Sequence, residues 1–164
     1  MRLPYRKPGK YSQTKFDPLL TEAKFAQLKK ELEKLKQKQK PAAAEVSRLA
    51  ELGDFSENVE YQLAKGRLRG INQRILELEF QVNRAEIIKP KSSNVIQIGH
   101  TVTLQSGDKI LVYQILGSSE TNPQKGIISH TSPLGAALLG HRVGKKIIMK
   151  TTDEEIEYTV VKID

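Results

Sequence analysis

Two carboxylates lie three positions apart in a short acidic stretch near the middle of the chain. Asp54 and Glu57 belong to residues 45–60, which contain five acidic residues and one basic residue. Near the start of a helix, this spacing lets both side chains converge on one point. Carboxylate oxygens suit Mg²⁺, but Mg²⁺ usually takes six ligands. The pair therefore predicts an incomplete metal site that a partner and its phosphate substrate would complete.

The same two residues also fit a purely structural role. Asp54 as the N-cap of a helix, with Glu57 at the third helical position, would form a variant capping box. Acidic side chains at a helix N-terminus also interact favourably with the helix dipole. The spacing alone favours this structural interpretation. Phe55 points toward function, because an aromatic residue in a turn far from any core indicates contact with a partner.

Two heptad patterns flank the acidic stretch. The first consists of Phe25, Leu28, Leu32, Leu35, Gln39, Ala42, Val46 and Leu49, and the second of Tyr61, Ala64, Leu68, Ile71, Ile75, Leu78, Val82 and Ala85. Steps of three and four residues are typical of a coiled-coil seam. The position numbers of facing residues add to a constant, as they do in an antiparallel hairpin. We therefore predict a coiled-coil hairpin over residues 21–88, with an acidic tip at residues 53–60.

Local signals set the expected ends of this hairpin. Thr21 is a suitable N-cap for the first helix, and Gly53 suits the position just past its end. Pro41 lies inside the first arm and is expected to kink it. Residues 89–94 are expected to form a linker.

A second domain is expected over residues 95–164. β-Branched stretches predict strands at 95–104, 109–116, 126–129, 145–150 and 155–163, with a hairpin turn at 106–108. Residues 132–140 predict a short helix that Pro133 begins and Gly140 ends. Mostly antiparallel strands with one helix, after a helical hairpin, indicate the α+β class.

Composition narrows the function classes. The net charge of +8 arises entirely within residues 1–40, and residues 1–20 are expected to be a flexible basic tail capable of non-specific nucleic acid contact. With no Cys, disulfides and thiolate metal sites are excluded, which suits a reducing cytoplasm. No apolar run is long enough to cross a bilayer, so no membrane role is expected. The spacing of the three His residues argues against a metal site or a catalytic triad.

Residues 53–61, GDFSENVEY, resemble the tip motif of the bacterial GreA/GreB transcript cleavage factors. The step at Lys40 and Pro41 and the stretch 132–140 add to this resemblance, which covers residues 21–164. It implies a coiled-coil domain and an FKBP-like C-terminal domain, in a cytoplasmic monomer that binds bacterial RNA polymerase. The resemblance also implies an accessory factor that is not itself an enzyme and that activates the intrinsic nuclease activity of the polymerase.

The resemblance also implies roles for individual residues. Asp54 and Glu57 would hold the second Mg²⁺ in the polymerase active site, reached through the secondary channel, and promote cleavage of the 3′ end of backtracked nascent RNA. Residues implied to contact the polymerase are Phe55, Asn58 and Tyr61 at the tip, and Ser132 and Pro133 in a docking loop. Basic residues implied to attract the RNA are Lys65, Arg67, Arg69 and Arg74.

Three other functions remain open at this point. A regulator of the same shape could block the secondary channel without stimulating cleavage, although the presence of both Asp54 and Glu57 argues against it. An FKBP-like prolyl isomerase needs an aromatic-lined pocket, for which the second domain has few aromatic residues. A coiled-coil DNA-binding or RNA-binding protein would depend on the basic tail. The sequence also departs from the family pattern at Phe55, where Leu or Arg is usual, and at residues 152–155, which lack a Pro-Gly turn.

Overall fold

The computed structural model describes residues 16–53, 58–91, 93–150 and 155–164. The N-terminal half contains β1 (Leu19–Leu20), α1 (Glu22–Glu51), α2 (Val59–Arg84) and β2 (Glu86–Ile87). The elements of the C-terminal half are β3 (Thr101–Ser106), β4 (Lys109–Leu116), β5 (Ile127–Ser129), α3 (Pro133–Leu138), β6 (Lys146–Lys150) and β7 (Glu155–Ile163). A helical hairpin followed by a sheet domain confirms the α+β class. Among the described helices, none is long and apolar enough to span a membrane.

The two helices pack along the predicted seam. Every residue of the two heptad patterns is buried or half-buried. The most deeply buried are Leu28, Leu49, Ala64, Ile75 and Leu78. With 30 residues and a rise of about 1.5 Å per residue, α1 is about 45 Å long. The heptad prediction of an antiparallel hairpin is therefore confirmed.

The ends of α1 also follow the sequence signals. The Thr21 side chain accepts a hydrogen bond from the Lys24 backbone N–H at 3.2 Å, as an N-cap does. Gly53 has φ +74° and donates its N–H to the Ala50 carbonyl, which closes the helix with a left-handed residue. α1 is continuous through the exposed Pro41, and the seam continues beyond it. A kink at Pro41 stays a prediction.

The boundary predicted for the N-terminal tail is wrong. Leu19 and Leu20 form β1, which pairs in parallel with β2 directly after the hairpin. Leu20 is buried against Leu28 and Leu78, because the open end of the hairpin leaves apolar surface that this strand covers. Residues 16–20 therefore belong to the folded protein, whereas residues 1–15 lie outside the described residues.

The C-terminal half is built on one five-stranded sheet in the order β5-β4-β3-β7-β6. Neighbouring strands are antiparallel except for β4 and β5, which are parallel. The predicted bounds of β4 and β7 are confirmed, and Ser106 pairs with Lys109 across the predicted turn. β3 begins later than predicted, since Gly99 turns the chain with φ +102°. Buried residues of this domain form one core: Ile96, Val102, Leu104, Ile115, Leu138, Ile147 and Val160.

Two carboxylates tie the N-terminal segment to the sheet domain. Glu120 accepts hydrogen bonds from the Thr21 backbone N–H at 2.6 Å and from the Thr21 hydroxyl at 2.7 Å. Asp17 accepts one from the Ser118 backbone N–H at 2.6 Å. At Gly117 a Cβ would collide with the Leu19 carbonyl oxygen, so the two chain segments run in direct contact. These contacts join the base of the hairpin to the second domain.

Candidate functional site at the hairpin tip

The candidate site lies where the two helices connect. α1 ends at Glu51 and α2 begins at Val59, so the connection is at the end of the hairpin remote from β1 and β2. Asp54, Phe55 and Glu57 fall in this connection but lie outside the described residues. Their roles in metal binding and polymerase contact stay predictions.

Asn58 is the N-cap of α2. Its side-chain oxygen accepts a hydrogen bond from the Tyr61 backbone N–H at 3.0 Å, and its own backbone is extended. The interpretation of Asp54 and Glu57 as a capping box for this helix is therefore wrong, because the cap lies beyond both residues. The strong N-cap preference of Asn was the sequence signal for this assignment. Asn58 thus has a structural role in addition to its predicted contact with the polymerase.

The described residues beside the connection add negative charge and an aromatic ring. Glu51 and Glu60 are exposed on either side of it, and Glu60 occupies the first turn of α2, where the helix dipole favours an acid. Tyr61 is half-buried in the seam, with the Lys65 ammonium 5.7 Å from its ring centroid. The described residues beside the connection therefore keep the acidic character of the tip, and Tyr61 packs in the seam below them.

Of the four predicted RNA-attracting residues, Arg74 has a clear structural partner. Its Nη2 and Nε lie 2.9 and 3.0 Å from Glu31 Oε1 across the hairpin, and its Nη1 lies 3.5 Å from Glu77. The hydrogen bonds to Glu31, with the charge of Glu77, raise the pKa of Arg74 above its usual range. Arg74 therefore ties α2 to α1.

The other three basic residues, Lys65, Arg67 and Arg69, are exposed along α2. Arg67 Nη1 lies 4.0 Å from Glu45 Oε1, a distance at which an exposed pair holds the side chain only weakly. These cations line the part of the rod that is nearer to the tip than Arg74. This placement suits attraction of a polyanion approaching the tip.

Ser132 and Pro133, predicted for a docking loop, begin α3. The Ser132 hydroxyl donates to the Ser129 carbonyl at 2.6 Å and accepts from the Gly135 N–H at 3.1 Å, so it is the N-cap of α3. Gly135 is buried against the Ser129 carbonyl, where a Cβ would collide. Pro133 is exposed at the first helical position. Ser132 thus fixes the shape of the loop, and Pro133 is exposed beside it. The predicted contacts of both residues with the polymerase stay predictions.

Sequence reasoning missed the cluster at the junction of the two domains. A cleft of about 630 Å³ is lined there by Phe16, Asp17, Ser118 and His130, among others. Burial raises the pKa of Asp17, but hydrogen bonds from Ser118 and Leu19 and the nearby His130 outweigh it and hold that pKa below its usual value. His130 Nδ1 lies 3.5 Å from Asp17 Oδ2. No short motif marks Asp17, because its partners lie about a hundred residues away.

A complete metal site is not found in the part of the chain that the structure describes. Within residues 16–53, 58–91, 93–150 and 155–164, no group of three or more His, Asp or Glu side chains converges to hold an ion. The tip connection remains the candidate for binding a divalent cation together with a partner.

Fold and site together define a class of protein: a long helical hairpin with acidic residues at its tip, joined to a small sheet domain. Residues 18–87 match the family described as "Transcription elongation factor, N-terminal", and residues 90–164 match "Transcription elongation factor, GreA/GreB, C-term". The chain belongs to the GreA/GreB family of transcription elongation factors, which confirms the resemblance seen at residues 53–61.

Individual relatives cover most of the chain. Transcription elongation factor GreA of a Nitratiruptor species is 34% identical over 148 residues, which are 88% of this chain and 91% of that one. GreA of Bacillus cereus is 37% identical over 158 residues, covering 93% and 99%. The crystal structure of GreA factor homolog 1 of Thermus thermophilus is 32% identical and covers 88% of this chain and 97% of that chain, with a TM-score of 0.41.

Proposed function

We propose that this elongation factor binds bacterial RNA polymerase, inserts its hairpin into the secondary channel and stimulates cleavage of the 3′ end of backtracked nascent RNA. One observation carries the proposal: the α1–α2 connection, which includes Asp54 and Glu57, follows a helix about 45 Å long and is not needed to cap α2. Asn58 supplies that cap. Capping of α2 therefore does not account for the two acids, and we assign them to chemistry at the end of the rod.

A rod of this kind suits action within another protein's active site. Two helices packed along one seam offer no deep, water-excluding pocket in which a substrate could be oriented. They can deliver two carboxylates into a narrow channel. The protein thus acts as an accessory factor, and the polymerase supplies the remaining metal ligands and the RNA.

The donor set at the tip fits a divalent cation. Asp54 and Glu57 offer hard carboxylate oxygens, which Mg²⁺ prefers, and a site of this kind commonly takes only one or two carboxylates from one protein. Mg²⁺ held there would lower the pKa of a bound water and stabilise charge on the phosphate. Asp54 and Glu57 would orient that ion, with Asn58 and Tyr61 holding the start of α2 in place and Phe55 contacting the polymerase.

The remaining predicted contact residues lie in two places, the loop before α3 and the basic residues of α2. Pro133 is exposed beside the loop that Ser132 shapes, and we propose this loop as the docking contact of the sheet domain with the polymerase. Lys65, Arg67 and Arg69 would attract the RNA through its phosphates, an interaction that weakens with salt. Arg74 contributes by holding the hairpin together.

The proposal is tested with purified bacterial elongation complexes stalled in a backtracked state, in the presence of Mg²⁺. Wild-type protein should release short 3′ RNA fragments faster than the polymerase alone. Asp54→Asn and Glu57→Gln keep side-chain size but remove a charge, and each should reduce cleavage to the rate of the polymerase alone. Binding to the polymerase, measured separately, should remain.

Glu60→Gln is the matched control. It removes one acidic charge from the same tip, in the first turn of α2, without altering the proposed metal ligands. It should retain cleavage. Equal losses in Glu60→Gln and Asp54→Asn would show that only the overall charge of the tip matters. Wild-type protein that binds the polymerase without cleavage would instead identify a non-cleaving regulator.

A further inference from the structure

An exposed apolar and small-residue face runs along α2, on the side away from the seam. Its members recur at steps of three and four residues: Val59, Leu63, Gly66, Gly70, Gln73, Leu76 and Phe80. All seven are exposed, with Leu63 at 56% and Leu76 at 62%. This outer face has the same periodicity as the seam, and such a stripe on a helix fits an elongated partner lying along it.

Phe16 already occupies one end of this face. Its ring contacts Phe80 edge to face, with centroids 5.1 Å apart and an interplanar angle of 70°. Phe16 lines a groove of about 440 Å³ together with Gln73, Leu76 and Phe80. The Arg84 guanidinium lies 4.4 Å from the Phe80 ring centroid. The first described residue of the chain is therefore packed on the outer face rather than directed away from it.

The chain direction at this point leads along the face toward the tip. β1 runs parallel to β2, so the chain passes back from Leu20 to Phe16 in the direction that leads from β2 into α2. Residues 1–15 precede Phe16 and can reach about 50 Å when extended. From Phe80 to Val59 the face is about 32 Å long. The segment is long enough to cover all of it.

Composition and space also fit this occupant. Residues 1–15 contain five basic and no acidic residues, with Leu3, Tyr5 and Tyr11 as apolar contacts. Charge beside the face is mixed, because Glu77 lines the groove at Phe16 and Glu60 follows Val59, whereas Lys65, Arg69 and Arg84 are exposed on the same helix. The apolar residues therefore provide the fit. Among the described residues, none has an atom within 4 Å of a Cβ placed on Gly66 or Gly70, so an extended chain can approach the helix closely there.

We propose that residues 1–15 dock along the outer face of α2, from Phe80 toward the tip, as an intramolecular third layer of the hairpin. The docked segment covers Leu76 and Leu63 and places its five positive charges along the rod. This arrangement is independent of the cleavage function, because it requires neither the polymerase nor a metal.

A spin label tests the arrangement in the full chain, which contains no native cysteine that would need to be removed. The label is attached at Gly9→Cys, seven residues before Phe16 and about 23 Å from it along an extended chain. Leu63 lies about 26 Å from Phe80 along α2. We expect loss of the Leu63 methyl NMR signals and retention of those of Ile148, which is exposed on the sheet domain.

The double variant Gly66→Lys, Gly70→Lys blocks the face with bulk and like charge. Both positions are open, and Lys favours a helix more than Gly does, so the hairpin should fold, as unchanged Leu78 methyl shifts would verify. In this variant the spin-labelled chain should recover the Leu63 signals. Equal Leu63 intensities with and without the label in the unblocked protein would overturn the proposal.

A mixed sample tests whether a second copy of the chain, rather than the chain's own N-terminal segment, covers the outer face. Spin-labelled chains without isotopes are combined with isotope-enriched chains without the label. Loss of Leu63 signals in this mixture would show that a second copy covers the face and would overturn the intramolecular proposal. If nucleic acid must be added before the label affects Leu63, the segment needs that partner and does not dock by itself, which would also overturn it.

Discussion

The two halves of the protein are stabilised in different ways. The sheet domain has one continuous core, in which Val102, Leu104, Ile115 and Leu138 are each fully buried. Among its described residues, the hairpin has its apolar cluster at the base, around Leu28 and Leu78 under the β1 strand. Farther out the seam contains a polar pair, in which Gln39 donates to Asn72 at 2.8 Å, together with small residues such as Ala42 and Ala64. The larger apolar cluster of the hairpin therefore lies at the end that joins the second domain, although Leu49 is also buried toward the tip.

This contrast shows how a protein can present residues far from its core. A rod only two helices thick cannot bury many side chains completely, so it depends on its base and on exposed ion pairs. The tip is then free to carry acids that would be costly inside a core. The sheet domain provides the opposite, a base with a continuous apolar core of its own.

The largest decrease in the free energy of unfolding is expected for a substitution at the base of the hairpin. Leu78→Ala removes a fully buried side chain from the only large apolar cluster of the described hairpin residues, and it should lower the free energy of unfolding by about 2–5 kcal/mol. Urea unfolding followed by helical circular dichroism measures the change. Leu52→Ala, at a leucine that is 67% exposed, is the control and should change stability little.

The same experiment tests the independence of the two halves. Leu104→Ala empties an equally buried position in the sheet domain and should destabilise that domain while helical signal persists. If both variants shift the helical transition by the same amount, the halves unfold as one unit and the contrast drawn between them is wrong.

The next largest loss of stability is expected where the N-terminal segment contacts the sheet domain, at Asp17. The pKa of Asp17 is held below its usual value of 3.8, so its contribution to stability is present well above that pH and is lost as the pH falls through the lowered pKa. Asp17→Asn keeps the shape but weakens the hydrogen bond from Ser118, and should cost about 1–2 kcal/mol near neutral pH. Thermal unfolding over a pH series should show a difference between wild type and variant that shrinks below pH 3.8 and vanishes below the lowered pKa of Asp17. A constant difference would contradict a role for the Asp17 charge.

The smallest decrease in stability is expected for the ion pair between the two helices of the hairpin. Glu31→Gln removes the charge that Arg74 contacts across the hairpin, at a site where both side chains are about two-fifths exposed. Such a pair contributes about 0.2–1 kcal/mol, which added salt should reduce. Glu33→Gln is the matched control on the same helix. A loss in Glu31→Gln that persists at high salt would show that hydrogen-bond geometry, rather than charge, holds the two arms together.

Local and periodic features were predictable from the sequence, and long-range contacts were not. The heptads specified the hairpin and its pairing, and β-branched stretches specified the strands β4 and β7, because these signals lie within a few positions of one another. The β1 strand was missed since two leucines after a basic stretch have no period, and their partner follows the hairpin. The extra length predicted for β3 came from Val95, Ile96 and Ile98, which precede the turn at Gly99.

The candidate site shows the same difference between local signals, which were predictable, and long-range contacts, which were not. The acidic pair and the family motif were evident from residues 53–61, and the family assignment is confirmed. The cap was assigned to Asp54 rather than Asn58 because both are good N-cap residues and only the folded backbone distinguishes them. Arg74 could not be separated from its basic neighbours, since its partner Glu31 is on the other helix.

The continuous seam sets the length of the hairpin in fixed steps. Facing positions advance together in steps of seven residues, and each step adds about 10.5 Å to both arms at once. Inserting one heptad into α1 and its match into α2 would move the tip outward by that distance and return it to nearly the same side of the rod, whereas a change in one arm alone would break the register. The distance from the base of the hairpin to the two carboxylates is therefore set by the number of paired heptads. It can change without any change in the chemistry of the carboxylates.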